Sequence, residues 1–244
     1  MRETRIVLVR ELRGYFNSPI AYVFGALFLF VILARSVAAI GQGQPADMGM
    51  FFSGLPLLYL LFLPVLSMRL WAEERKLGTL ELLMTFPVKI RQLVLGKFLA
   101  ALLFLCLVML LSVGLPLTLD ATGKLDWGVT IGGYVAAMLV AASYLAVGMF
   151  FSSLTRDQIV AALLSIVVLG VLYMLGVPEI SLLLSRIGLP DWAVELLGAL
   201  SPARYFSSIT RGVVDTRDAI YFGSFCALFL YFNGLVLAGR RMRG

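Results

Sequence analysis

A chain of 244 residues with 61% apolar and 14% charged residues is not an ordinary soluble domain, where about 25% of residues are charged. Too few polar residues remain to cover the core that so many apolar ones would build. The net charge of +6 does not indicate a nucleic-acid partner, because the basic residues sort by segment. With no histidine, and with Cys106 and Cys226 both inside apolar runs, neither a zinc site nor a disulfide framework is expected.

Residues 2–17 are too charged to span a membrane. At helical spacing Leu8, Leu12, Tyr15 and Phe16 share one arc, with Glu3, Arg10 and Glu11 roughly opposite and Arg5 on the apolar side. This predicts an interfacial amphipathic elbow helix; the alternative is a plain positively charged topogenic tail. Ser18-Pro19 turns the chain into span one, 20–40, too long for a cleavable signal peptide. Arg35, near its outer end, either reaches headgroups or faces a partner helix.

Span two, 50–70, carries Pro56 and Pro64. Each removes a backbone donor and predicts a kink, either as a flexing joint or as a static curve. A charged stretch at 73–86 follows, then span three (93–119), span four (127–153), the tight turn Ser152–Gln158 and span five (158–177). Polarity returns at 178–215. There Pro190-Asp191-Trp192 and Ser201-Pro202 open two helices too short to cross, which should lie at the outer surface. Trp192, Tyr205 and Phe206 suit that interface. Span six is 218–239. The whole, residues 1–244, is one all-α polytopic transmembrane domain with six spans.

Each span has about the 20 residues needed to cross roughly 30 Å of hydrocarbon. Runs such as VMLLSVGLPL, Val108–Leu117, are apolar all round and lack the alternation of a barrel strand. With the N-terminus inside, segments 1–19, 69–97, 152–158 and 240–244 hold 14 of the 20 Lys/Arg but 6 of the 14 Asp/Glu. The positive-inside rule therefore puts both termini in the cytoplasm.

Chemistry of its own is missing. No G-x-x-x-x-G-K-[ST], G-x-S-x-G or H-E-x-x-H motif is present. The spans carry no Asp or Glu deep in the bilayer, as a proton relay would. An intramembrane enzyme and an autonomous channel are both disfavoured. Energy for any uphill movement must come from another polypeptide.

EERKLGTLELLMTFPVKIRQ, Glu73–Gln92, is the charge-rich interruption where such energy could enter. Glu74 and Glu81, seven residues apart, would project from one side of a helix. Leu77, Leu80 and Met84 would form an apolar stripe. Gly78 offers close approach or a break, with Thr79 capping the next turn, and Pro87 ends the element. Lys89, Arg91 and Lys97 would tether the return at the headgroups. The predicted element is a docking helix; the alternative is an ordinary solvated loop. A small pair, Ala21 and Gly25, would support close helix packing in span one.

The pattern E-E-R-K-x-G-T-x-E-L-L (Glu73–Leu83), with its proline and the return into G-K-x-x-A (Gly96–Ala100), resembles the permease subunits of ABC-2-type transporters. LSPARYFSSITRGVVDTRDAIYF, Leu200–Phe222, is similar to the gliding-motility GldF-like branch, and the nitrous-oxide reductase maturation permease shares the plan. The resemblance implies a type V exporter fold in the bacterial cytoplasmic (inner) membrane. Two permease protomers, identical or with a GldG-like partner, would each dock a cytoplasmic ABC ATPase through a coupling helix between spans two and three. Glu73, Glu74, Arg75, Gly78, Thr79 and Glu81 would fall on that helix, and Thr155, Arg156 and Asp157 would make a second, smaller contact. Trp192, Arg204, Tyr205 and Arg211 would belong to the outer helices, where a periplasmic protein partner is possible. This chain would bind lipid but no nucleic acid and no cofactor of its own, ATP and Mg residing on the partner. It would be an exporter subunit or, alternatively, a mechanotransmission module that drives a periplasmic partner without moving cargo.

Overall fold

The computed structural model describes residues 2–42, 47–85, 88–121, 125–209 and 216–241. Every regular element among them is helical. In chain order they are α1 (Arg2–Phe16), α2 (Pro19–Gly41), α3 (Gly49–Ser67), α4 (Arg69–Lys76), α5 (Thr79–Thr85), α6 (Ile90–Leu111), α7 (Gly114–Asp120), α8 (Trp127–Leu154), α9 (Gln158–Met174), α10 (Pro178–Arg186), α11 (Asp191–Ala199), α12 (Pro202–Ile209) and α13 (Thr216–Arg241). Their starts follow local rules. Proline occupies the first turn of α2 and α10. The carboxylates of Asp126 and Asp157 accept the first backbone N–H groups of α8 and α9.

Among the described residues, five helical stretches are long and apolar enough to cross a membrane: 19–41, 49–76, 90–120, 127–154 and 216–240. A sixth exists only if α9 and α10 count as one, and they are bent by 77° at Leu175–Val177. With 17 residues, α9 is about 26 Å long, slightly short of the ~30 Å hydrocarbon layer. The second stretch joins α3 to α4 and stays helical through both Pro56 and Pro64, which are buried.

Packing centres on α8, which lies against α3, α4, α6, α9 and α13. Its inner surface alternates small and large residues. Ala136, Ala137, Ala141 and Ala146 are fully or almost fully buried beside Tyr144 and Met149. Gly148 admits Ser67 of α3 so closely that a Cβ there would collide with its hydroxyl. Gly25 does the same more gently: a Cβ would stand 3.3 Å from Val108 Cγ2 of α6. Small residues let helices approach where hydrophobicity gives no drive. Aromatic rings fill the space between α2, α3 and α6, with Phe24, Phe28, Tyr59, Phe62 and Phe104 in mutual contact. Polar links are few. Asn233 of α13, fully buried, donates to the Met149 carbonyl of α8 at 2.9 Å. Arg35 lies across Gly54 and donates to Ser53 of α3 at 3.4 Å, so it reaches a neighbouring helix.

Side-chain bonds gather the charged segments at one end of the bundle. Arg69 of α4 donates to Ser18 at the start of α2 (2.9 Å), and Gln92 of α6 to Glu3 of α1 (2.6 Å). Arg240 of α13 donates to the carbonyl of Leu154 at the end of α8 (3.3 Å). At the opposite end, Ser201 caps α12 by accepting from Ala203 N, and its hydroxyl also reaches the Tyr173 carbonyl of α9 (3.2 Å each).

Candidate functional site

The site is a corner at the charged end, where the long α3–α4 helix stops and α5 begins. Helix α4 is fixed to the bundle by its neighbour rather than by its own sequence. The Ser152 hydroxyl of α8 accepts from the backbone N–H of Trp71 and of Ala72, 3.1 Å each, and donates to the Met68 carbonyl at 2.6 Å. One side chain thus satisfies three backbone groups at the turn between α3 and α4, where helical bonding is interrupted. Arg75 adds a bond to the Ser153 carbonyl at 3.2 Å.

Gly78 ends α4 with φ +71°, a left-handed conformation that glycine adopts without strain. The Thr79 hydroxyl donates back to the Glu74 carbonyl at 3.3 Å. It therefore closes the end of α4. The expected single docking helix over 73–86 is two short helices meeting at a corner, so Glu74 and Glu81 do not share a helical face. The anticipated leucine stripe divides as well. Leu80 is 6% exposed and Leu77 68%, while the side chain of Met84 lies outside the described residues; Leu82, which was not part of that stripe, is 65% exposed. Glu73, Lys76, Thr79 and Glu81 are exposed beside them. An acidic, leucine-tipped knob results. Pro87 lies outside the described residues.

Behind the knob is a buried ion cluster. Lys97 of α6, only 2% exposed, places its ammonium 2.8 Å from Glu74 Oε1 of α4 and 3.1 Å from Glu11 Oε1 of α1. It also lies 5.0 Å from the Trp71 ring. Arg10 pairs with Glu11 and reaches Glu74 at 3.4 Å. Three expectations are corrected here. Lys97 faces inward, not to headgroups. Glu74 is engaged within the chain and not presented outward. Glu11 lies on the inner face of α1 with Val7 and Tyr15, not on a polar face opposite the apolar arc.

The G-K-x-x-A pattern gains a physical meaning. A Cβ at Gly96 would stand 2.7 Å from Val7 Cγ1 and 3.1 Å from the Thr4 carbonyl. The glycine thus lets α1 lie directly on α6. Lys97 supplies the cation beneath it, and Ala100 is fully buried. Burial alone would push the Glu11 carboxyl up, but the adjacent Lys97 ammonium, with Arg10, outweighs it and holds the carboxyl below its ordinary value. A cavity of about 310 Å³ opens beside the cluster, lined by Glu11, Tyr15, Arg69, Glu73, Glu74 and Lys97. Around it Glu74 Oε2, the Tyr15 hydroxyl and Trp71 Nε1 are buried without a hydrogen-bond partner among the described residues.

The turn at 155–157 is mostly occupied with itself. Thr155 donates to the Asp157 carbonyl at 2.8 Å, and the Asp157 carboxylate caps α9. Arg156 and Asp157 are both exposed, and Arg156 makes no bond within the turn. Arg75 and Arg240 stand at the same carbonyl end of α8, where cations oppose the negative helix terminus.

The outer set lies at the far end and forms no cluster with these residues. Trp192 is 70% exposed on α11, and Arg204 is exposed on α12. Tyr205 is not free at an interface but stacks on Tyr221 of α13 at 4.0 Å, whose hydroxyl bonds the Leu200 carbonyl at 2.6 Å. Arg211 and the side chain of Phe206 lie outside the described residues. Among the described residues, no three His, Cys, Asp or Glu side chains come together in a way that could hold a metal ion.

Sequence reasoning missed Ser152 and the role of Glu11. A serine closing an apolar run and an acid on the inner arc of an amphipathic helix were the available signals, and both need a known neighbour to be read.

No curated protein matches the chain. The model of the family described as ABC-2 family transporter protein matches residues 61–220, which is 160 of the 244 residues. The match starts inside α3, takes in the α4–α5 corner and the turn at 155–157, and ends in the first turns of α13. With about two thirds of its length matched and several helices able to cross a bilayer, this chain belongs to the ABC-2 transporter family of multi-pass membrane proteins.

Proposed function

We propose that the chain is the permease subunit of an ABC transporter in the bacterial cytoplasmic membrane, driven by a separate ATPase that carries the ATP and Mg. The charged end is cytoplasmic in this reading, as the Lys/Arg excess in 1–19, 69–97, 152–158 and 240–244 favours. One observation carries the proposal: the exposed knob of Glu73, Leu77, Glu81 and Leu82 sits at the end of a 28-residue helix. Two exposed leucines framed by carboxylates suit a docking surface with an apolar centre and a charged rim. Because Ser152 and Lys97 bind α4 to α8, α6 and α1, a push on the knob moves four helices together rather than bending a loop. ATP-driven closure of the ATPase would act through this lever.

The finer placement, in the GldF-like branch with a type V exporter fold, draws support from Leu200–Phe222 alone. A second protomer, identical or GldG-like, accords with how little of α2 is covered: 33% of its apolar stretch is buried. A mechanotransmission role is favoured by a separate observation. No residue of α10 is buried, and Leu182, Ile187, Trp192 and Leu196 present an exposed apolar surface at the far end, which a periplasmic partner would cover.

The test is affinity purification of the tagged chain from its native membrane. The expected result is co-purification of an ABC ATPase whose activity rises in the complex. Leu77→Asp with Leu82→Asp should abolish co-purification while leaving the membrane subunit monodisperse. Retention of the ATPase by that variant would reject the corner as the docking site.

A further inference from the structure

A groove of about 750 Å³ runs between α6 and α13 on the outside of the bundle. Val94 and Leu95 of α6 face Leu230 and Leu235 of α13 across it, and Lys89 and Arg91 stand at its end beside the charged segments. We propose that this groove is a binding site for one anionic phospholipid of the leaflet bordering the charged end. The acidic headgroup would sit on Lys89 and Arg91, with an acyl chain along α13.

Depth is the first argument. The α13 wall extends from Ala227 to Ala238, eleven residue steps or about 16 Å. That is half of the ~30 Å hydrocarbon layer and therefore the depth of one leaflet. A partner transmembrane helix would need contact through both leaflets. Charge is the second argument. Lys89 and Arg91 are exposed, and neither takes part in an ion pair among the described residues. A basic pair at the water-facing end of an apolar slot complements an acidic headgroup above its own acyl chain. Space is the third. A Cβ at Gly234 would meet nothing within 4 Å, so the glycine leaves room for something outside the protein. The site requires only that the chain be embedded in a bilayer, and it stands or falls independently of the ATPase docking proposed above.

The purified full chain, stripped of lipid in detergent, is titrated with phosphatidylglycerol or phosphatidylcholine, and bound lipid is counted by native mass spectrometry. One phosphatidylglycerol is expected to be retained in preference to phosphatidylcholine. Lys89→Gln with Arg91→Gln should weaken phosphatidylglycerol by about fivefold per cation, roughly 25-fold together, and leave phosphatidylcholine unchanged. Gly234→Leu, whose Cβ would meet no protein atom within 4 Å and whose side chain would occupy groove volume, should remove the retained lipid while the protein stays monodisperse. Equal retention of both lipids by the unmodified chain would overturn the proposal. So would phosphatidylglycerol binding indifferent to both variants, or efficient disulfide cross-linking of two Leu235→Cys copies in membranes.

Discussion

Replacing Lys97 with methionine keeps most of the side chain's apolar stem and removes its charge. Glu74 and Glu11, which faced the ammonium at 2.8 and 3.1 Å, then keep only the half-exposed Arg10 as a cationic partner in the cluster. At an effective dielectric of about 20 each contact is worth roughly 5–6 kcal/mol of gross attraction, most of which offsets the desolvation of a cation that is only 2% exposed. Breaking a buried pair by removing one partner typically costs 3–5 kcal/mol. The two carboxylate side chains are 17% and 19% exposed and can draw in some water, so the low end, about 3 kcal/mol, is expected. For a chain of this size that lowers the melting temperature by roughly 6–12 °C, measurable by thermal unfolding in detergent. The control is the triple variant Lys97→Met, Glu11→Gln, Glu74→Gln. Replacing a whole buried ion cluster with uncharged groups is often near neutral, so it should regain most of the loss. If the single variant melts with the parent, or the triple melts no higher than the single, the cluster does not hold α1, α4 and α6 together.

Three further outcomes follow from the same contacts. Gly96→Val should push α1 off α6 because of the Val7 and Thr4 contacts, making α1 sensitive to limited proteolysis. Gly14→Ala, where a Cβ meets nothing within 4 Å, should not. Ser152→Ala strands the Trp71 and Ala72 N–H groups; at about 1–3 kcal/mol per buried unsatisfied group, a loss of about 2–6 kcal/mol should appear as faster amide exchange in α4, and Ser152→Thr should restore part of it. Acidification should release α1 through Glu11. Its folded pKa lies below the ordinary 4.5, so its contribution is complete above pH 4.5 and is lost as the pH falls through the lowered value. Exchange protection of α1 should be flat from neutrality to about pH 5 and fall only below that, with Glu11→Gln removing the dependence.

The membrane class and most of the crossing helices were legible because hydropathy is a local property. A run of some 20 apolar residues commits the backbone to a helix in lipid whatever surrounds it. Ser18-Pro19 likewise marked the start of α2. The break between α9 and α10 lies just before Pro178, which favours extended backbone at Val177; the bond from Ser201 of α12 to the Tyr173 carbonyl at the end of α9 is a contact no window of sequence contains. The corner was visible as a charged stretch between two spans, and its glycine as an option for a break.

Which way each charge points was not legible. Glu74 and Glu81 carry the same chemistry, yet one is turned inward and the other is exposed. The difference is set by Lys97, more than twenty residues away in sequence from Glu74, and by α1 lying over it across Gly96. Composition and periodicity of this chain determined that it would be a bundle of membrane helices with its cations gathered on one side. Only the tertiary structure decided which of those charges hold helices together and which are offered to a partner. A side chain's role is fixed by the neighbour it meets, and in a bundle that neighbour comes from a distant part of the chain.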